Sequence, residues 1–191
     1  MNYPLHDETT APEGSKPTLA ASRKALGFIP NLHAVMAESP AVLMAYQELH
    51  ELFQQTSFDA DELTVVWQTL NVEHECYYCV AAHTGIASMM KVDPAITEAL
   101  RNRTELPSQK LQVLHEMTLE LARTRGRPSD TTLNGFYAAG YQRQHVLEII
   151  LGISQKVLSN YVNHIADTPV DQPFEKFAWT GKQAEQQLLS A

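Results

Sequence analysis

Cysteine is scarce in this 191-residue chain: there are two, Cys76 and Cys79, three positions apart. Basic charge is also short, with 14 Lys and Arg against 22 Asp and Glu and a net charge of −8. A protein that grips nucleic acid or an anionic membrane through its phosphates needs the opposite sign. The near-clusters Arg101 with Arg103, and Arg123 with Arg125 and Arg127, are too short to supply it. Long apolar runs are missing as well. Glu148, Lys156 and His83 interrupt the longest ones, so no stretch reads as a membrane span. The start, Met1-Asn2-Tyr3-Pro4, has neither a charged nor an apolar leader segment, and the expected location is the cytoplasm. What remains, 19% charged and 44% apolar residues, is an ordinary globular composition with material for one core.

Strand signals are nearly absent and helix signals recur. Residues 1–24 hold Pro4, Pro12, Pro17 and Gly14 and read as an extended N-terminal arm that could wrap a neighbouring subunit. A single helical domain is expected over 25–180, followed by a tail over 181–191. Ser39-Pro40 opens a helix to about 54, and Asp59 with Glu62 reads as a capping box opening a second. A third runs from about Cys76 to Met90, and Asp93-Pro94, Ser108 and Ser129 start three more. The longest spans about 142–166, with Val146, Ile149, Ile150, Ile153, Val157, Tyr161 and Ile165 at helical spacing. Thr168 to Trp179 reads as irregular. These signals together predict an all-α bundle. Cys79-Val-Ala-Ala-His83 and Asn160-Tyr-Val-Asn-His164 echo one another weakly, which leaves a duplicated helical hairpin open.

The chemistry concentrates in Glu73-His74-Glu75-Cys76-Tyr77-Tyr78-Cys79-Val80-Ala81-Ala82-His83. Cysteines at i and i+3 near a helix start can close a disulfide, and the free N–H groups there favour thiolate over thiol. His83 lies one turn beyond Cys79 on the same face, within reach of its proton. Magnitudes limit the thiolate acting alone. Dropping a thiol pKa from about 8.5 to about 6.5 raises the thiolate fraction at neutral pH roughly 25-fold. Nucleophilicity falls about 8-fold in compensation, so the net gain is about 3-fold. A proton donor for the leaving group is therefore needed. His83 is the nearest candidate, with Glu62, Glu73 and Glu75 as carboxylates that could hold it or relay protons.

Each of these residues also has a plainer reading. Glu62 serves equally as Asp59's capping partner; Glu73 and Glu75 serve as solvated acids beside a helix start. His74 fits a surface position, and His164 a satisfied core position. Tyr77 and Tyr78 could pack or line a substrate pocket, while Trp67, Met89 and Met90 read as packing. A c-type haem site fails because Val80, not His, follows the second cysteine. Zinc would have Cys76, Cys79 and His83, with His74 or a distant histidine as fourth ligand, but there is no second cysteine pair.

Taken together, Cys76-x-x-Cys79-x-x-x-His83 after a helix beginning at Asp59-Ala-Asp-Glu62 resembles the carboxymuconolactone decarboxylase superfamily, on its alkylhydroperoxidase D-like branch. Phe28-Ile-Pro-Asn-Leu32, Ser39-Pro40 and Asn160-Tyr-Val-Asn-His164 support the resemblance, which covers about residues 25–180. It implies an all-helical fold assembling into homo-oligomers, often trimers, hexamers or dimers. It also implies a thiol-dependent hydroperoxidase or disulfide oxidoreductase acting on a small hydroperoxide. Cys79 would attack the peroxide, Cys76 would resolve the sulfenic acid as a disulfide, and His83 would relay protons. An external dithiol or small thiol would restore the pair, with no metal or bound cofactor required. Two positions depart from the family pattern: Thr64 stands where a relay glutamate is expected, and Tyr78 where a histidine is. The relay would then draw on Glu73 or Glu62, with Tyr78 and His164 as pocket candidates. The alternatives are a decarboxylase or lactone-processing enzyme that needs no cysteine pair, and a structural zinc module.

Overall fold

The structure, a computed structural model, describes residues 3–181. Among these, helices run over Lys16–Leu26 (α1), Asn31–Met36 (α2), Pro40–Gln54 (α3), Ala60–Glu73 (α4) and Tyr77–Met89 (α5). Then come Pro94–Asn102 (α6), Gln109–Thr124 (α7), Asp130–Ala138 (α8), Arg143–Ala166 (α9) and a 3₁₀ turn over Gln172–Phe177. No strand is present among the described residues, so the all-α reading holds. No described helix is long and apolar enough to cross a membrane.

Helix α4 is the axis of the bundle, packed by α5, α6, α7 and α9. Its side chains are buried without interruption from Glu62 to Val72, as expected of a helix surrounded on all sides. The capping box is in place: the Asp59 carboxylate accepts from the Glu62 N–H at 2.9 Å, and the Glu62 carboxylate accepts from the Asp59 N–H at 3.1 Å. At its other end α4 closes in a Schellman motif. The Cys76 N–H donates to the Asn71 carbonyl at 2.9 Å and the Glu75 N–H to the Val72 carbonyl at 3.2 Å. Glu75 takes the left-handed position (φ 53°) that glycine more often fills. Cys76 is thereby the last residue of one helix motif and the N-cap of α5. Two helix ends fix the backbone of the cysteine pair.

The N-terminal segment differs from the sequence expectation. Residues 3–7 are irregular and turns follow up to Ser15, so the extended arm read over 1–24 becomes helical from Lys16 onward. Pro17 sits in the first helical turn, where a missing N–H costs nothing. The segment packs on its own chain: Ala11 and Leu19 are buried, Ser15 Oγ donates to the Ala37 carbonyl, and Arg23 pairs with Glu8 through two nitrogens. The tail expected over 181–191 lies, apart from Gly181, outside the described residues.

Two large apolar clusters form most of the core of the described residues, beside a small third of Val72, Val80 and Trp179. One joins α4, α6, α7, α8 and the first half of α9 through Trp67, Leu70, Leu114, Met117, Phe136 and Ile149. The other joins α2, α3 and the start of α5 through Leu32, Leu43, Tyr46, Tyr78 and both cysteines. Helix α9 bridges them with an inverted face. Its buried positions are Ile149, Gly152, Gln155, Lys156, Ser159, Asn160 and Asn163. Ile150, Tyr161 and Ile165, which the apolar periodicity placed inward, are exposed, and so is Leu147.

The crossing of α9 over α3 and α4 depends on Gly152, where a Cβ would stand 2.8 Å from the Phe53 ring and 2.9 Å from a Val66 methyl. Phe53 and Val66 are both fully buried, so neither can swing aside. Alanine's advantage in a helix is up to about 1 kcal/mol; overpacking costs about 1–3 kcal/mol. Gly152→Ala should therefore lower the unfolding free energy by about 1–2 kcal/mol in urea titrations; an unchanged or raised midpoint would contradict this packing.

Candidate active site

Cys76 and Cys79 are free thiols, each buried at 1% exposure. They are not equivalent. Cys76 caps α5 and Cys79 is its third residue, within the positive end of the helix. Asn163 Nδ2, from α9, donates to the Cys79 sulfur at 3.1 Å and lies 3.8 Å from that of Cys76. The Cys76 thiol also donates to the Cys79 sulfur, an arrangement that, with burial, pushes the Cys76 thiol well up. Burial opposes ionisation of Cys79 too, but the Cys76 thiol, the Lys156 charge and the Asn163 and Asn160 amides outweigh it and pull its pKa down. One sulfur is held toward the thiolate and the other toward the thiol.

Cys79 stands on the wall of a cavity of about 550 Å³. Most of the lining is apolar, from Leu26, Phe28, Leu32, Ile86 and Phe174. The polar lining includes His33, Tyr46, His50, His83 and Lys156, together with Ser22, Gln47 and Gln54. Aromatic rings form a ladder from His33 to Tyr46 (5.6 Å), His50 (6.0 Å), Trp67 (5.4 Å) and His83 (4.9 Å). Gln155 ties it together, accepting from Trp67 Nε1 at 2.7 Å and meeting His50 Nδ1 at 2.9 Å.

His83 lies in this site but does not bond Cys79. Its Nε2 is 3.0 Å from Lys156 Nζ, and its buried Nδ1 has no partner among the described residues. An ammonium can only donate, so Nε2 accepts and the imidazole carries its hydrogen on Nδ1. Burial, then the neighbouring Lys156 charge, hold it neutral. The ring expected to relay protons is thus neutral and faces a lysine.

The two glutamates proposed for that relay are placed elsewhere. Glu62 stands at the opposite end of α4, about 14 Å along the axis from Asn71, whose backbone and side chain meet the two cysteines, and it pairs with Lys110 at 2.8 Å. Burial raises its pKa, but the Lys110 hydrogen bond and the Asp59 N–H bring the net shift below the ordinary value. Glu73 is held by Arg123 through two bonds of 2.7 and 2.8 Å. It lines a separate cavity of about 210 Å³ with His115 and Arg103. Capping geometry and a bidentate arginine decide both positions. His164 faces solvent, because the inward stripe of α9 runs through Asn160 and Asn163.

Tyr78 does line the cavity, yet its hydroxyl is engaged. It donates to Asp171 Oδ2 at 2.5 Å and accepts from the Leu32 N–H at 3.3 Å, while the Asn31 N–H donates to Asp171 Oδ1 at 2.8 Å. This clamp fastens the segment after α9, including Phe174, over the cavity. The zinc donors are not assembled: His74 meets Asn160 and His83 meets Lys156. Among the described residues no three of His, Cys, Asp and Glu are grouped to hold a metal ion. Sequence reasoning does not find Lys156, Asn163, Asn160, His50 or Tyr46. The available signal is the polar stripe Lys156, Asn160, Asn163 at helical spacing.

No family model and no curated protein matches the chain. Solved structures do match. A peroxidase-related protein of Ralstonia eutropha JMP134, described as an alkylhydroperoxidase AhpD core, superposes over 95% of this chain and 96% of its own, with TM-score 0.80 and 16% identity. This chain has the AhpD-like fold. The AhpD-like architecture is shared by a peroxidase-related protein of Silicibacter sp. TM1040, with TM-score 0.77, 15% identity, and 91% and 92% of the two chains covered. It is shared too by a cysteine-to-alanine variant of the debrominase Bmp8 in complex with 2,3,4-tribromopyrrole, with TM-score 0.76, 14% identity, and 93% and 95% covered.

Two outcomes follow from this geometry. A charge-assisted hydrogen bond contributes about 1.5–3 kcal/mol, so Asn163→Ala should raise the Cys79 titration midpoint by about 1–2 pH units. Iodoacetamide labelling against pH, read by mass, would show it; an unmoved midpoint would remove Asn163 from the account. The second concerns acid. Burial in the cavity wall lowers His33 and His50 to about 4 from 6.5. Between those values the unfolded chain binds more protons than the folded one, so stability is full above pH 6.5 and declines as pH falls toward 4. A thermal midpoint that drops over this window, and drops less in His50→Gln, is expected from scanning calorimetry.

Proposed function

We propose that the protein is a dithiol enzyme that reduces a small apolar hydroperoxide through Cys79 and Cys76. The observation that carries this reading is the unequal pair: Cys79, on the wall of a mostly apolar cavity, accepts from Asn163 and is lowered, beside a raised Cys76 thiol. The Cys79 thiolate attacks the terminal peroxide oxygen, a sulfur–oxygen bond forms, and the O–O pair departs with the alkoxide, which takes a proton to become the alcohol. Cys76, deprotonated, then attacks the Cys79 sulfenic acid; the S–S bond forms and water leaves. An external dithiol returns two electrons and two protons. The unpartnered Nδ1–H of His83 supplies a buried donor for a bound substrate oxygen.

A soft thiolate can instead attack a halogen, and the AhpD-like debrominase with its bromopyrrole makes this the second reading. The ladder of rings from His33 to His83 favours a flat aromatic occupant. There the carbon–bromine pair stays on the ring carbon, which takes a proton, and Cys76 displaces bromide from the Cys79 sulfur. Under either reading the pair must be kept reducible, which fits a reducing compartment such as the cytoplasm. The exposed row Leu147, Ile150, Tyr161 and Ile165 supports assembly into homo-oligomers.

One equivalent of cumene hydroperoxide should remove two thiols and two hydrogens from the native protein, reversibly with dithiothreitol. Cys79→Ser should lose all turnover. Cys76→Ser should stop after one event as a dimedone-reactive sulfenic acid. Thiols that stay reduced, or peroxide consumption by the double serine variant, would end the hydroperoxidase reading. Bromide release from bromopyrroles without peroxide turnover would select the other.

A further inference from the structure

Lys156 is fully buried in the middle of α9, and its ammonium lines the cavity that Cys79 opens on. Burying an ammonium is costly unless a counter-charge and hydrogen bonds compensate it. Among the described residues it forms no salt bridge with any carboxylate, and its hydrogen-bond partner is His83 Nε2 at 3.0 Å. The ionisable groups around it are few. Helix α5 presents Cys76, Cys79 and His83, α3 presents Tyr46 and His50, and α2 presents His33. Trp67 of α4 packs on His83 and donates to Gln155 of α9, and Ser159 donates to the Lys156 carbonyl; none of these three titrates. The histidines are held neutral and the tyrosine protonated by burial. Cys79 is the anion left to balance the charge.

We propose that Lys156 is a further catalytic residue, the counter-ion of the Cys79 thiolate and the acid that protonates the departing oxygen. The inference rests on the dithiol reading and supplies the proton donor that Glu62 and Glu73 do not. Proton and charge balance at every step. The resting pair is thiolate and ammonium. As the O–O bond breaks, the alkoxide takes a proton from Lys156, leaving sulfenic acid, alcohol and a neutral amine. That amine takes the proton of the Cys76 thiol, the resulting thiolate attacks the Cys79 sulfur, and the departing hydroxide takes the proton again as water. The disulfide form therefore holds a neutral amine, and an uncompensated charge is never left in the apolar cavity. External dithiol restores both thiols, and Cys79 passes its proton back to Lys156.

Lys156→Met removes the cation at nearly constant length, and Lys156→Arg keeps a cation that does not give up its proton. Both are read for secondary structure by circular dichroism, for Cys79 ionisation by iodoacetamide labelling and 240 nm absorbance against pH, and for cumene hydroperoxide turnover. In Lys156→Met, labelling of Cys79 at pH 7 should slow at least tenfold and turnover should fall at least a hundredfold. In Lys156→Arg, labelling should stay within about threefold of wild type while turnover falls at least tenfold. Unchanged labelling in folded Lys156→Met overturns the pairing whatever the substrate is. Full turnover in Lys156→Arg overturns the acid role. A wild-type protein that ignores hydroperoxides but whose Cys79 labelling depends on Lys156 overturns the hydroperoxidase reading and leaves the ion pair supported.

Discussion

Everything at the site depends on burying the polar face of one helix. Gln155, Lys156, Ser159, Asn160 and Asn163 of α9 face inward, and the four long side chains among them find partners that other helices must bring. Gln155 joins Trp67 and His50; Asn160 joins Asn71 and His74; Asn163 reaches Cys79; Lys156 reaches His83. Asn71 in turn bonds Gln68 and the Cys79 carbonyl, and Gln68 bonds Thr84. Buried polar groups left without partners are costly, so this network fixes the mutual positions of α3, α4, α5 and α9 more sharply than apolar packing would.

The same requirement explains why the cysteine pair is unequal. Two thiols at an ordinary helix start would differ only by their distance from the helix end. Here the Schellman turn at Glu75 locks Cys76 as a cap, while Cys79 turns one step inward toward the amides and ammonium of α9. Desolvation alone would raise both thiols. Directed donors reverse the sign for one of them, which is how burial and thiolate character coexist at Cys79. The apolar remainder of the cavity then strengthens each of those interactions by excluding water.

Helix starts are legible because their signals are local: Asp59 with Glu62, Pro40 after Ser39, and Asp93 before Pro94 all open helices as expected. The short α2 and the helical part of the N-terminal segment are not, since six residues carry little periodicity and Pro17 suits an extended arm as well as a first helical turn. The facing of α9 departs from expectation for a physical reason. Periodicity assumes that apolar residues turn inward, whereas this helix buries amides and a lysine and leaves Tyr161 and Ile165 outside.

The sequence by itself determined an all-helical chain with a dithiol pair and a histidine at the start of one helix, because capping and i, i+3, i+4 spacing act within a short stretch of chain. Which groups surround that pair was decided by tertiary structure alone. Glu62 and Glu73 lie near the cysteines in the chain, but Lys110 and Arg123 hold them elsewhere. Lys156 and Asn163 are remote from the cysteines in the chain and yet complete the site. Electrostatics and hydrogen bonds act over ångströms and take no account of distance along the chain.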